Sequence, residues 1–120
     1  MVDHDLIEPA RLPDESAISA VTLAELAAGS NATNDLDERA RRQDRLQWAA
    51  TTWEPLPFDA ECARAYGLVF AATKVAGRSS RARLADLFIA ATAAANDLDL
   101  YTRNAADLVG LDRIVRIVEI

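Results

Sequence analysis

The chain has 120 residues, 51% apolar and 27% charged, with 13 Lys and Arg against 19 Asp and Glu for a net charge of −6. Such a chain fits one domain, residues 1–120, that buries roughly two-thirds of its unfolded surface, and its charge balance argues against disorder and against a general basic coat for nucleic acid. Its one cysteine, Cys62, excludes an internal disulfide and a thiolate metal cage, and no apolar run approaches the ~20 residues that span a bilayer.

Residues 1–15 hold five acidic side chains and two prolines without a periodic apolar pattern, so they read as an irregular lead-in. They lack the basic and apolar regions of a signal peptide, and the cytoplasm is the expected compartment. Ala17 to Val21 reads as a short buried strand, followed by a helix from Thr22 to Ala28 that stops at Gly29. After a polar turn, Asp35 to Trp53 reads as a long amphipathic helix, with Leu36, Ala40, Leu46, Trp48, Ala49 and Trp53 as core contacts. Its other face carries Arg39, Arg41, Arg42 and Arg45, interleaved with Glu38 and Asp44 as a solvated face.

Glu54 to Phe58 should be extended, because each proline disfavours helix in the residue before it, and Asp59 then caps a helix running to about Ala76. Gly77 to Arg83 is a basic loop, Leu84 to Asn96 an Ala-rich helix, and Leu98 to Thr102 a strand. A short helix follows at Ala105 to Val109, and the β-branched run Ile114 to Ile120 closes the chain as a strand. Alternating short strands and helices predict an α/β domain with a small, mainly parallel sheet flanked by helices.

In such sheets, sites lie beyond the carboxyl ends of the strands. Glu25 and Asp107 follow two predicted strands closely, and Asp86 opens the Ala-rich helix. Acids in first helical turns also need no function, since the helix dipole favours them. Thr22 to Glu25 matches a capping box, and Asn104 to Asp107 is a near relative of one. Spacing leaves both readings open.

Three blocks carry a resemblance: Ile18-Ser19-Ala20-Val21-Thr22-Leu23-Ala24-Glu25-Leu26, Asp86-Leu87-Phe88-Ile89-Ala90-Ala91-Thr92-Ala93, and Leu100-Tyr101-Thr102-Arg103-Asn104-Ala105-Ala106-Asp107-Leu108. In that order they resemble the PIN-domain family, and within it the VapC toxins of bacterial VapBC toxin-antitoxin pairs. The resemblance implies a metal-dependent endoribonuclease neutralised by a VapB-type antitoxin, with Glu25, Asp86 and Asp107 as catalytic carboxylates. These three, with Asn104, would hold Mg²⁺ or Mn²⁺, and Thr102 supplies a supporting hydroxyl. Mg²⁺ prefers oxygen ligands and keeps several waters, which suits a site of few carboxylates. Relatives commonly dimerise through helices, so a homodimer is a further expectation.

Relatives begin with an apolar strand that ends in Asp. No such segment precedes Ile18, and Asp3 and Asp5 follow only Met1 and Val2, so the usual N-terminal strand is expected to be missing. Two alternatives to the toxin follow. One is an N-terminally shortened, catalytically weak or inactive PIN-like protein that retains antitoxin binding; the other is a small α/β domain whose acids are all caps.

Arg78, Arg81 and Arg83, close before Asp86, could contact RNA phosphates or an acidic antitoxin segment, or form a solvated loop. His4 lies in the lead-in, which argues against a histidine base or zinc site. Cys62 falls in an apolar helical pattern and reads as a buried structural thiol.

Overall fold

The computed structural model describes residues 1–2, 16–77 and 83–120. Its elements are α1 (Ala20–Ser30), α2 (Leu36–Thr52), α3 (Ala60–Ala76), α4 (Leu84–Ala95), β1 (Leu100–Thr102), a short 3-10 helix at Ala105–Leu108, and β2 (Ile117–Glu119). The order and class match the sequence expectation of an α/β domain with a small parallel sheet. Several boundaries move, for local reasons.

The expected strand at Ala17 to Val21 shrinks to bridging residues Ile18 and Ser19, because Ser19 caps α1. The Ser19 hydroxyl accepts from the Val21 N–H at 2.9 Å, which commits the chain to a helix from Ala20 onward. Gly29 does not stop that helix. It continues through Ser30 and ends where the Asn31 N–H reaches the carbonyls of Ala28 and Gly29. Asp59 acts as the expected N-cap, its carboxylate accepting from the Cys62 N–H, and Asp35, expected inside α2, is instead its N-cap, accepting from the N–H groups of Asp37 and Glu38.

The sheet is a short parallel pair with three parallel bridges added on one side. β1 pairs with β2 in the register Leu100 with Ile117, Tyr101 with Val118 and Thr102 with Glu119. On the other side of β1, Tyr101 bridges Val2, Val2 bridges Ile18, and Ser19 bridges Leu56. The proline-flanked Leu56 donates its N–H to the Ile18 carbonyl and accepts from the Ala20 N–H, both at 2.8 Å.

Met1 and Val2, expected to belong to an irregular lead-in, are instead built into this row. The Val2 N–H donates to the Ala17 carbonyl at 2.8 Å, and the Met1 carbonyl accepts from the Tyr101 N–H at 2.7 Å. Both side chains are buried. The row therefore has a member between Ile18 and β1, although no full strand forms there among the described residues.

Two apolar clusters hold the elements. The larger joins Met1 and Val69 to Leu87, Ile89, Ala90, Ala91 and Ala93 of α4, and extends to Leu100, Leu108, Leu111 and Val115. Phe58, Tyr66 and Phe88 stack beside it, with ring centroids 4.8 and 5.0 Å from Phe88. The smaller joins Val2, Ile18 and Ala49, with Leu23, Leu26 and Trp53 against them. Of the core contacts expected from α2, Leu46, Ala49 and Trp53 are covered, whereas Leu36 is 77% exposed and Ala40 and Trp48 also face solvent. Cys62 is fully buried, its thiol directed at the Pro57 carbonyl at 3.5 Å, as expected of a structural cysteine.

At Gly110, with φ of 93°, a Cβ would stand 3.0 Å from the Cβ of Ala76, so conformation and space both favour glycine there. The turn it makes packs the chain against the end of α3 before β2 begins.

Candidate active site

Parallel pairing puts the carboxyl ends of the bridged segments on one edge. Ile18 and Ser19 run straight into α1, which carries Glu25. β1 ends at Thr102, and Asn104 and Asp107 follow. Asp86 enters from the first turn of α4, and α4 packs against α1.

The capping alternative separates these acids. With Ser19 as the cap, Thr22 is already inside the helix and Glu25 lies beyond its first turn, so the predicted Thr22 to Glu25 box does not form. Glu25 serves no cap. Asp86 does half of what a capping box requires, since its Oδ2 accepts from the Arg83 N–H at 3.0 Å. At the third acid, the Asp107 N–H donates to the Asn104 carbonyl at 2.9 Å, and the Asn104 N–H donates to Oγ1 of the fully buried Thr102 at 3.0 Å. The Thr102 hydroxyl thus braces the turn that leads from β1 to Asp107.

One cation links two of the carboxylates. Nη2 of Arg83 lies 4.0 Å from Oε1 of Glu25, and its Nε lies 3.6 Å from Oδ2 of Asp86. The Glu25 and Asp86 side chains are 27% and 19% exposed, against 64% for Arg83. Two largely covered carboxylates on different helices therefore face a common positive charge that comes from the solvent side. Among the described residues, no group of three or more His, Cys, Asp or Glu side chains stands close enough to hold a metal ion. The structure brings Glu25 and Asp86 to one cation, and it carries Asp107 on the β1 side of the same sheet edge.

Arg78, Arg81, Asp3, His4 and Asp5 lie outside the described residues. Two features escape the sequence reading. Arg83 is expected to face RNA or a partner, yet it also spans Glu25 and Asp86, a contact that depends on the approach of α1 to α4. Val2 is expected to place nothing, yet it is paired on both sides. The signal was present only as two apolar residues immediately before Asp3, too short for any periodicity to register.

A PIN domain model matches residues 3–113 of the chain. The chain is similar to Ribonuclease VapC5 of Mycobacterium tuberculosis, with 38% identity over 106 residues, covering 88% of this chain and 76% of the relative. Among solved structures, it is similar to a member of the VapBC family of toxin-antitoxin systems, VapBC-5 of Mycobacterium tuberculosis. The TM-score is 0.82 at 33% identity, covering 99% of this chain and 94% of that one. It also resembles VapBC2 of Rickettsia felis, solved bound to a DNA fragment from its promoter, with a TM-score of 0.66 at 26% identity over 86% of this chain and 73% of that one.

Proposed function

The chain belongs to the PIN-domain family, and we propose that it is a metal-dependent endoribonuclease toxin of the VapC type, restrained by a VapB-type antitoxin. The observation that carries this reading is the pairing of Glu25 and Asp86 around one cation at the sheet edge. Both are oxygen donors, largely covered, and already arranged about a positive charge. The set suits a hard ion such as Mg²⁺ or Mn²⁺, which needs only one or two carboxylates beside water and substrate phosphate.

Glu25 and Asp86 would hold the ion, and Asp107 and Asn104 would face it from the β1 side. When bound, such an ion supplies an activated water and neutralises charge developing on a phosphodiester. The chain's own part is positional. The Arg83 N–H fixes the Asp86 carboxylate, and the Thr102 hydroxyl fixes the turn before Asp107. The alternative, a catalytically weak or inactive PIN-like protein that retains antitoxin binding, predicts little or no metal-dependent cleavage.

Arg78, Arg81 and Arg83 are proposed to meet RNA phosphates or an acidic segment of the antitoxin. Exposed Leu36, Leu68, Phe70 and Val75 supply apolar surface for a protein partner, the antitoxin or a second copy of the chain. The cytoplasm, where RNA and a co-synthesised antitoxin meet, is the proposed compartment. Among the described residues, no helix is long and apolar enough to cross a membrane.

The test incubates the purified chain with mixed RNA and Mg²⁺ or Mn²⁺. Asp86→Asn keeps an oxygen to accept from the Arg83 N–H, so the fold is spared, and cleavage is expected to fall by about 100-fold. Glu25→Gln should behave alike. Cleavage that survives a chelator, or that is unchanged in Asp86→Asn, would sink the reading.

A further inference from the structure

We propose that Arg83 is a tethered counter-ion of the Glu25 and Asp86 pair, which occupies their shared cation position and must be displaced when a divalent ion binds. This deepens the reading of that pair as the metal-holding residues and rests on it. Three features of the site support the exchange.

The first is position. Arg83 reaches both carboxylates, at 4.0 and 3.6 Å, and like charges held near one another need a counter-charge. The second is looseness. Both distances exceed the roughly 2.7–2.9 Å of a charge-assisted N–H to carboxylate bond, so the guanidinium neutralises the pair by proximity without being locked to it. Its side chain is 64% exposed and approaches from solvent, the direction from which a hydrated ion would come.

The third is independence from the fold. Asp86 is anchored by the backbone N–H of Arg83 at 3.0 Å, which any residue other than proline supplies at position 83. The guanidinium can therefore leave without releasing Asp86. A guanidinium and a divalent cation cannot share one position, since two positive charges repel, so the contact and the ion are alternatives. Metal affinity in this chain is accordingly set by competition with its own arginine.

The experiment titrates Mn²⁺ into the full 120-residue chain, with free Mn²⁺ read by electron paramagnetic resonance and folding checked by circular dichroism. Arg83→Gln is expected to tighten Mn²⁺ binding roughly two- to fivefold at low salt, the range a solvent-exposed ion pair supports. Arg83→Lys keeps the charge and should stay close to the parent. The gap between Arg83→Gln and the parent should narrow near 1 M salt, where exposed charges are screened to within about 3 Å.

Arg83→Gln binding Mn²⁺ no more tightly than the parent, while Asp86→Asn loses binding, would overturn the counter-ion and leave the metal site standing. Asp86→Asn binding Mn²⁺ as the parent does would overturn both. Should Arg83→Gln fail to fold, Arg83→Met makes the same comparison with an aliphatic chain of similar reach.

Discussion

Helices α2 and α4 are held to the molecule by opposite means. α4 buries Leu87, Ile89, Ala90, Ala91, Thr92 and Ala93 out of twelve residues, while α2 buries only Ala49 out of seventeen. α4 is compelled by the removal of apolar surface from water, which is non-directional and involves no titrating group. α2 relies more on directional polar ties. Nη1 of Arg42 donates to the Gly29 carbonyl at 2.8 Å, and Nη2 of Arg39 donates to the Thr33 carbonyl at 2.9 Å. The candidate carboxylate Asp86 sits on the helix with the deeper seat, so its position should resist changes of solution that loosen α2.

The sharpest break of this contrast is in the core. Ile89 is 1% exposed, and Ile89→Ala should cost about 2–5 kcal/mol through lost transfer energy and the cavity left behind. The midpoint of urea unfolding measures it. A cost below about 1 kcal/mol would mean that α4 is held by something other than its apolar face.

A smaller effect is expected where α2 begins. The Asp35 carboxylate accepts from the N–H groups of Asp37 and Glu38 at 2.9 and 3.2 Å. Asp35→Ala should lower stability by about 1 kcal/mol, seen as a fall in Tm without loss of metal binding at Asp86. Loss of both together would show that α2 and the site move as one.

The smallest effect is in pH dependence. Hydrogen bonds from Arg41, and then from Arg42, hold the Glu38 carboxyl below its ordinary range. A folded pKa below the unfolded one gives a contribution that is present above the unfolded value, near pH 4, and lost as pH falls through the folded value. Glu38→Gln should therefore flatten the acid limb of Tm against pH, and more at low salt than at high. An acid limb of unchanged slope in that variant would assign the pH sensitivity elsewhere.

The same contrast explains what could be read in the sequence. The start of α3 was legible because Asp59 is a local cap, and a cap is a property of three or four consecutive residues. The exposure of Leu36, Ala40 and Trp48 was not legible, because α2 packs mainly on α1 and a narrow stripe suffices. Ala17 to Val21 looked like one strand by composition, but the Ser19 hydroxyl divides it into a bridging pair and the start of a helix. At the site, Glu25, Asp86 and Asp107 were visible as acids near strand-to-helix passages. The contact of Arg83 with two of them was invisible, since it needs two helices distant in sequence to meet. Val2 was hidden for the same reason, its partners lying at Ile18 and Tyr101.

That placement of Val2 also sets an order of events during synthesis. Its second partner, Tyr101, lies far along the chain from it, and the β2 partner of Tyr101, Val118, is made later still. The row cannot close until β1 and β2 have been made, however early α1 and α2 form from their neighbouring residues. Nascent chains should thus carry an open sheet edge and an unfinished acidic edge until β2 emerges, so the proposed nuclease is assembled late, well after its first helices have formed.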